Sequence, residues 1–141
     1  MSLDMSSLQN AVNSLDATLK KSNDEKLMSQ FDDVIRLAVR AGAIQNFEFT
    51  YELCWKFIKR WLRKNSSPED SDHPRTRKDL FRLAARFGLI KNPVPWFKYG
   101  NARNLMSHTY DQKKAREIYL ITNDFLSDAK YLLKQLKENN D

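Results

Sequence analysis

Arg103, Asn104, Ser107, His108 and Tyr110 crowd hydrogen-bonding side chains into one short stretch, Tyr99-Gly-Asn-Ala-Arg-Asn-Leu-Met-Ser-His-Thr-Tyr-Asp111. Histidine titrates close enough to neutrality to move protons in either direction. A forked guanidinium suits the oxygens of a phosphate or of a transition state built on one. At about 100° per residue, Asn104 and His108 share a helix face, whereas Arg103 and His108 lie about 140° apart. That second pair converges only if the helix unwinds near His108, or if two copies of the chain pool their residues. Lys113, Lys114 and Arg116 follow at the opening of the next helix. Cations there oppose the macrodipole, an arrangement that makes sense if an anion docks beside them. The alternative is structural: Arg103 and His108 can cap a helix C-terminus, and Tyr110 can be an apolar staple before an Asp111 cap.

The elements that must position these residues are helical. Leu8, Val12, Leu15 and Leu19 recur at helical spacing and predict a first helix from about Leu3 to Lys21. Ser22-Asn23-Asp24 supplies cap chemistry for a restart. Glu25 to Lys64 contains no proline and only Gly42 as a glycine, so it reads as one long helix or two in near-continuation, with a kink plausible at Gly42. Phe47, Tyr51, Trp55, Ile58 and Leu62 form one stripe there; Phe49, Leu53, Phe57 and Trp61 form a second. Two stripes exceed one bundle face, so this is either the central helix or a helix whose second face meets another chain. After a polar loop from Asn65 to Pro74, Thr76 can cap a helix ending at Gly88, and Asn92-Pro93 opens another running to about Ser107. Asp111 caps a final helix with Ile118, Ile121, Phe125, Ala129, Leu132 and Leu136 inward. No strand pattern competes. The expected fold is an all-α, up-and-down bundle of five or six helices in one domain over residues 1–141.

Composition narrows the function classes. A chain of 141 residues with 41% apolar residues is too apolar for disorder, and three Gly with four Pro are too few turn residues for an all-β barrel. No apolar run reaches bilayer length, the start lacks signal-peptide character, and Cys54 is the sole cysteine, so a cytoplasmic protein is expected. The net charge is +6, and the segment from Lys56 to Lys91 alone carries +7, which suits a phosphate-rich or acidic partner unless the strip is merely solvated. Glycine-rich phosphate loops and His-Glu-x-x-His are absent, and two histidines cannot build a histidine-rich metal site, so neither cofactor nor metal is expected. Glu48 and Glu52, one turn apart, can act as a carboxylate pair, although Glu52 can also pair with Lys56 on the helix surface. His73 reads as a loop residue, Cys54 as a small buried hydrophobe, and Trp96 and Phe97 as core rather than base-stacking platforms.

Arg103-Asn-Leu-Met-Ser-His108-Thr-Tyr110 resembles the Arg-x4-His-x-Tyr signature of HEPN domains. Phe47-Glu-Phe-Thr-Tyr-Glu-Leu-Cys-Trp-Lys56 is similar to the long helix of the subgroup called nucleotidyltransferase substrate-binding proteins. The resemblance extends from the first helix to the last. It implies a homodimer whose Arg–His motifs face one cleft and, in many members, metal-independent cleavage of RNA. It also implies a toxin–antitoxin module in which a minimal nucleotidyltransferase adenylylates the motif tyrosine, here Tyr110. An older reading makes such a protein the non-catalytic substrate-binding subunit of that nucleotidyltransferase. The residues are suited to the first role. Metal-free cleavage needs a 2′-hydroxyl deprotonated, a phosphorane stabilised and a 5′-oxygen protonated. Arg103 and His108 are the candidate catalytic pair, Asn104 a supporting residue, and Lys113 and Lys114 candidate phosphate ligands. One histidine per chain leaves either the acid or the base unfilled, and two copies of His108 across a dimer supply both.

Overall fold

A computed structural model describes residues 2–67, 76–105 and 111–140. Among them lie six helices and no strand: α1 (Ser6–Ser22), α2 (Glu25–Met28), α3 (Asp33–Asn65), α4 (Arg77–Arg86), α5 (Pro93–Asn104) and α6 (Gln112–Glu138). The helix starts follow cap chemistry. The side chains of Thr76, Asn92 and Asp111 accept hydrogen bonds from the backbone N–H groups of Asp79, Val94 and Lys113, each satisfying a donor that has no partner inside the helix. Gly88, with φ of 79°, ends α4 in the left-handed region that glycine enters without strain.

The expected kink at Gly42 is absent from the secondary structure; the break falls earlier. The chain leaves α2 at Ser29, and Asp32 caps α3 by accepting from the Ile35 N–H at 2.9 Å. Arg36 fastens that turn by donating to the Phe31 carbonyl at 2.6 Å. Helix α3 then runs unbroken through Gly42, whose position is open to solvent. A cost of about 1 kcal/mol for a glycine is outweighed by burial of Ala43, Ile44 and Phe47 directly after it. Before Ala43 no α3 side chain is buried, and Val34 (75% exposed), Ile35 and Leu37 face solvent on a projecting arm.

Contacts along the helices fix their directions. Thr50 donates to the Ala11 carbonyl and Asn46 to Thr18, so α1 and α3 are antiparallel. Asp16 pairs with Lys130, Ser22 hydrogen-bonds to Tyr119, and Leu3 exchanges two hydrogen bonds with Asn140, so α1 and α6 are also antiparallel. Arg40 lies over the Tyr119 ring, Phe47 meets Phe125, and Trp61 donates to the Asn139 carbonyl, which makes α3 and α6 parallel. Phe125 is the hub of the core. Its ring meets Phe47, Trp96 and Tyr99 edge-on, at centroid distances of 5.0, 5.7 and 5.1 Å, and so joins α3, α5 and α6.

Both apolar stripes of α3 are used mostly within the chain. Phe57 and Trp61 of the second stripe are buried, Leu53 is half-buried, and only Phe49 stands out at 60% exposure. The helix is therefore central, packed by α1, α4, α5 and α6. No helix among the described residues is long and apolar enough to cross a membrane.

Candidate functional site

Arg103 sits in the last turn of α5, and its guanidinium reaches across to the middle of α3. Its Nη2 pairs with Glu48 Oε1 at 3.2 Å and its Nε donates to Glu52 Oε1 at 3.2 Å. Glu48 and Glu52 do share a face, and that face receives the arginine. The alternative pairing of Glu52 with Lys56 gives way to this contact, with Lys56 lying over the Trp55 ring instead. Glu52 is also held from two further sides. Its Oε1 is 3.5 Å from Arg77 Nη1 at the start of α4, and its Oε2 accepts from the Trp55 indole at 2.8 Å. Two arginines and two carboxylates thus form a neutral cluster linking α3, α4 and α5. The Arg103 side chain keeps 33% of its surface exposed, so it is fixed yet reachable.

The cations continue outward over aromatic rings. The Arg77 guanidinium lies 4.6 Å from the Trp55 centroid and 5.7 Å from that of Tyr51, while Lys78 and Arg82 cover Phe97 at 5.6 and 5.2 Å. The three cations belong to the basic segment from Lys56 to Lys91, and the rings come from either side of it. They build one face in which positive charge alternates with ring faces.

Of the other site residues inferred from sequence, Asn104 is exposed and lines a cleft between α4 and α5. Lys113 and Lys114 lie in the first turn of α6, exposed and half-buried, and donate their backbone N–H groups to Asp111. Among the described residues no ion pair joins either lysine to the Arg103 cluster. His108 and Tyr110, with Ser107, lie outside the described residues, as does His73. Trp96 is buried core, as its pattern implies, whereas Phe97 is half-buried beside the cleft. Cys54 is fully buried, and burial pushes its thiol well above the usual range. Three participants were not singled out for the site in the sequence: Arg77, Trp55 and Tyr51. The available signal was Arg77-Lys78 directly after the Thr76 cap, cations where a helix dipole disfavours them.

Comparison with known proteins gives the chain its family and fold. The family described as nucleotidyltransferase substrate binding protein like matches residues 3–138. A Haemophilus influenzae protein named probable ribonuclease HepT is 38% identical over 138 residues, covering 98% of this chain and 94% of that protein. A solved Haemophilus influenzae structure, described as the fold of a substrate-binding domain of a nucleotidyltransferase, superposes with a TM-score of 0.90 at 38% identity. That match covers 95% of this chain and 99% of the other. A Thermus thermophilus structure matches with a TM-score of 0.65 at 26% identity, covering 89% of this chain and 98% of its own. The shared helical fold, the near-complete coverage and the Arg-x4-His-x-Tyr sequence agree: the chain belongs to the HEPN-type nucleotidyltransferase substrate-binding proteins.

Proposed function

We propose that this chain is a metal-independent endoribonuclease, acting as a homodimer and controlled by a minimal nucleotidyltransferase. The observation that carries the reading is Arg103, held by two carboxylates from α3 yet still partly exposed at the end of α5. A pre-positioned guanidinium stabilises developing phosphorane charge without reorganising at the moment of reaction. His108 of one copy removes the 2′-hydroxyl proton, and the 2′-oxygen attacks the adjacent phosphorus. His108 of the other copy protonates the departing 5′-oxygen, leaving a 2′,3′-cyclic phosphate and a 5′-hydroxyl. Asn104 orients the histidine or the phosphate, Lys113 and Lys114 draw the strand in, and Tyr110 is the acceptor for adenylylation. The name of the HepT relative supports the ribonuclease, and the family description supports the nucleotidyltransferase partner.

Purified protein is expected to cleave RNA in the presence of EDTA and to release cyclic-phosphate ends. Arg103→Ala and His108→Ala are each expected to abolish cleavage while leaving helicity intact. Loss of activity in EDTA overturns the metal-free mechanism, and normal cleavage by either variant moves the site elsewhere. One observation favours a second reading, a non-catalytic binding subunit of the nucleotidyltransferase: Glu48 and Glu52 already neutralise the Arg103–Arg77 pair. An absence of cleavage combined with retained nucleotide binding selects that reading.

A further inference from the structure

Beside the Arg103 cluster, between the N-terminus of α4 and the outer face of α5, lies a cleft of about 330 Å³. Its lining includes Tyr51, Arg77, Lys78, Phe97, Asn101 and Asn104, with no carboxylate among the described residues that line it. We propose that this cleft binds one nucleoside 5′-phosphate unit, its phosphate against the start of α4 and its base against Phe97 and the two asparagines. The inference rests on the ribonuclease reading only for the source of that unit, an RNA strand rather than a free nucleotide.

Tyr51 is the first support. Its side chain is completely buried, and among the described residues its hydroxyl makes no well-formed hydrogen bond, the Arg77 guanidinium lying near enough only to lower its pKa. Every other aspect of Tyr51 is that of a core residue, packed against Phe47, Phe81 and Phe125. A phenylalanine would serve that packing without stranding an oxygen. The oxygen lies under Gly100, where an added Cβ would come within 2.9 Å of it, and both residues line the cleft. Glycine therefore keeps a side chain off the unpartnered hydroxyl. Burial raises the phenol pKa against the lowering influence of Arg77, so at neutral pH the group is a donor, suited to an anionic or carbonyl oxygen.

The second support is charge placement. Arg77 and Lys78 occupy the first two positions of α4, a ten-residue helix, where they oppose its dipole. A phosphate docked there offsets that penalty, as an anion does at a helix start. Arg77 is braced by Trp55 and Glu52 and remains 44% exposed on its side chain, so it is ordered and available. The third support is the wall. Phe97 offers a ring already flanked by cations, and Asn101 and Asn104 offer amides that can pair with a base edge. Asn104 adjoins Arg103, and Arg77 and Arg103 approach the same Glu52 oxygen. A strand residue in the cleft thus places its neighbouring phosphate next to Arg103.

Titration calorimetry on the full chain tests this with three probes: AMP, inorganic phosphate and a 2′-O-methyl RNA tetranucleotide, which cannot be cleaved through its 2′-oxygen. AMP and the tetranucleotide are expected to bind, with Tyr51→Phe and Lys78→Ala each weakening binding by about fivefold or more. Tyr51→Phe is expected to melt no lower than the wild type, which separates lost binding from lost folding. Tighter binding of the tetranucleotide than of AMP identifies a strand as the source, and the reverse identifies a free nucleotide. Phosphate binding as tightly as AMP, unchanged affinity in both variants, or no binding of AMP and tetranucleotide overturns the proposal. Because these probes require no cleavage, an inactive protein that binds them contradicts the ribonuclease reading alone.

Discussion

Arg103 Nε donates to Glu52 Oε1 across a sequence separation of 51 residues, at 3.2 Å, and so ties the end of α5 to the middle of α3. The contact sets where the guanidinium stands before any phosphate arrives. Glu52→Gln keeps the shape and removes the charge. It is expected to lower kcat by about tenfold with little change in KM, since a loosened arginine loses transition-state stabilisation before it loses ground-state binding. Steady-state kinetics on a fluorogenic RNA checks this. A variant that cleaves faster than wild type would mean that the carboxylates restrain Arg103 rather than position it.

Adenylylation at Tyr110 would place a bulky anion two residues from His108 and directly before the Asp111 cap of α6. Its phosphate can pair with Lys113 and Lys114, and its adenosine takes space that an RNA nucleotide needs. Intact-mass spectrometry after incubation with the nucleotidyltransferase, ATP and magnesium is expected to show adenylyl units on wild type and none on Tyr110→Phe. Equal labelling of both proteins moves the acceptor elsewhere. Silencing of activity without any labelling makes the partner an inhibitor by binding alone.

A composite site predicts that activity depends on assembly. With one His108 per copy, acid and base are both present only when two chains meet. Light scattering is expected to give a dimer at micromolar concentration, and specific activity is expected to fall on dilution below the dissociation constant. A monomer with undiminished activity would place both proton-transfer roles within one chain. The apolar surface left for such an assembly differs from the one the α3 stripes implied, because Phe57 and Trp61 are consumed internally.

Cys54, the sole cysteine, gives a direct readout of the packing beneath the site. Burial disfavours its thiolate, so the native protein is expected to resist a disulfide reagent at pH 8 and to gain little reactivity when the pH rises to 9. Labelling then follows unfolding in denaturant. Stoichiometric reaction within seconds in native buffer would show that the α3 core opens readily.

Local chemistry was legible in the sequence, and long-range geometry was not. Thr76, Asn92 and Asp111 announce helix starts because a cap is settled within three or four residues. The break before α3 escaped the same reading because Ser29-Gln30-Phe31-Asp32 contains neither glycine nor proline. Gly42, the conspicuous candidate, sits where nothing presses on the helix. Glu48 and Glu52 were recognisable as a same-face pair from their spacing, yet their partner Arg103 lies 51 residues beyond Glu52. Nothing in local periodicity distinguishes Tyr51 from a phenylalanine in the same stripe; only the packed core strands its oxygen.

Helix α3 joins two regimes of stability in one continuous ladder of backbone hydrogen bonds. From Ala43 to Leu62 the core buries side chains at nearly every turn, whereas residues 33–42 bury none and depend on their own helical bonds, the Asp32 cap and the tethers made by Arg36 and Arg40. Amide hydrogens along residues 33–42 can therefore exchange with solvent through local fraying, while those between Ala43 and Leu62 require the whole bundle to open. A protein that docked on Val34, Ile35 and Leu37 would register as slowed exchange along that arm, with the bonds around Arg103 undisturbed.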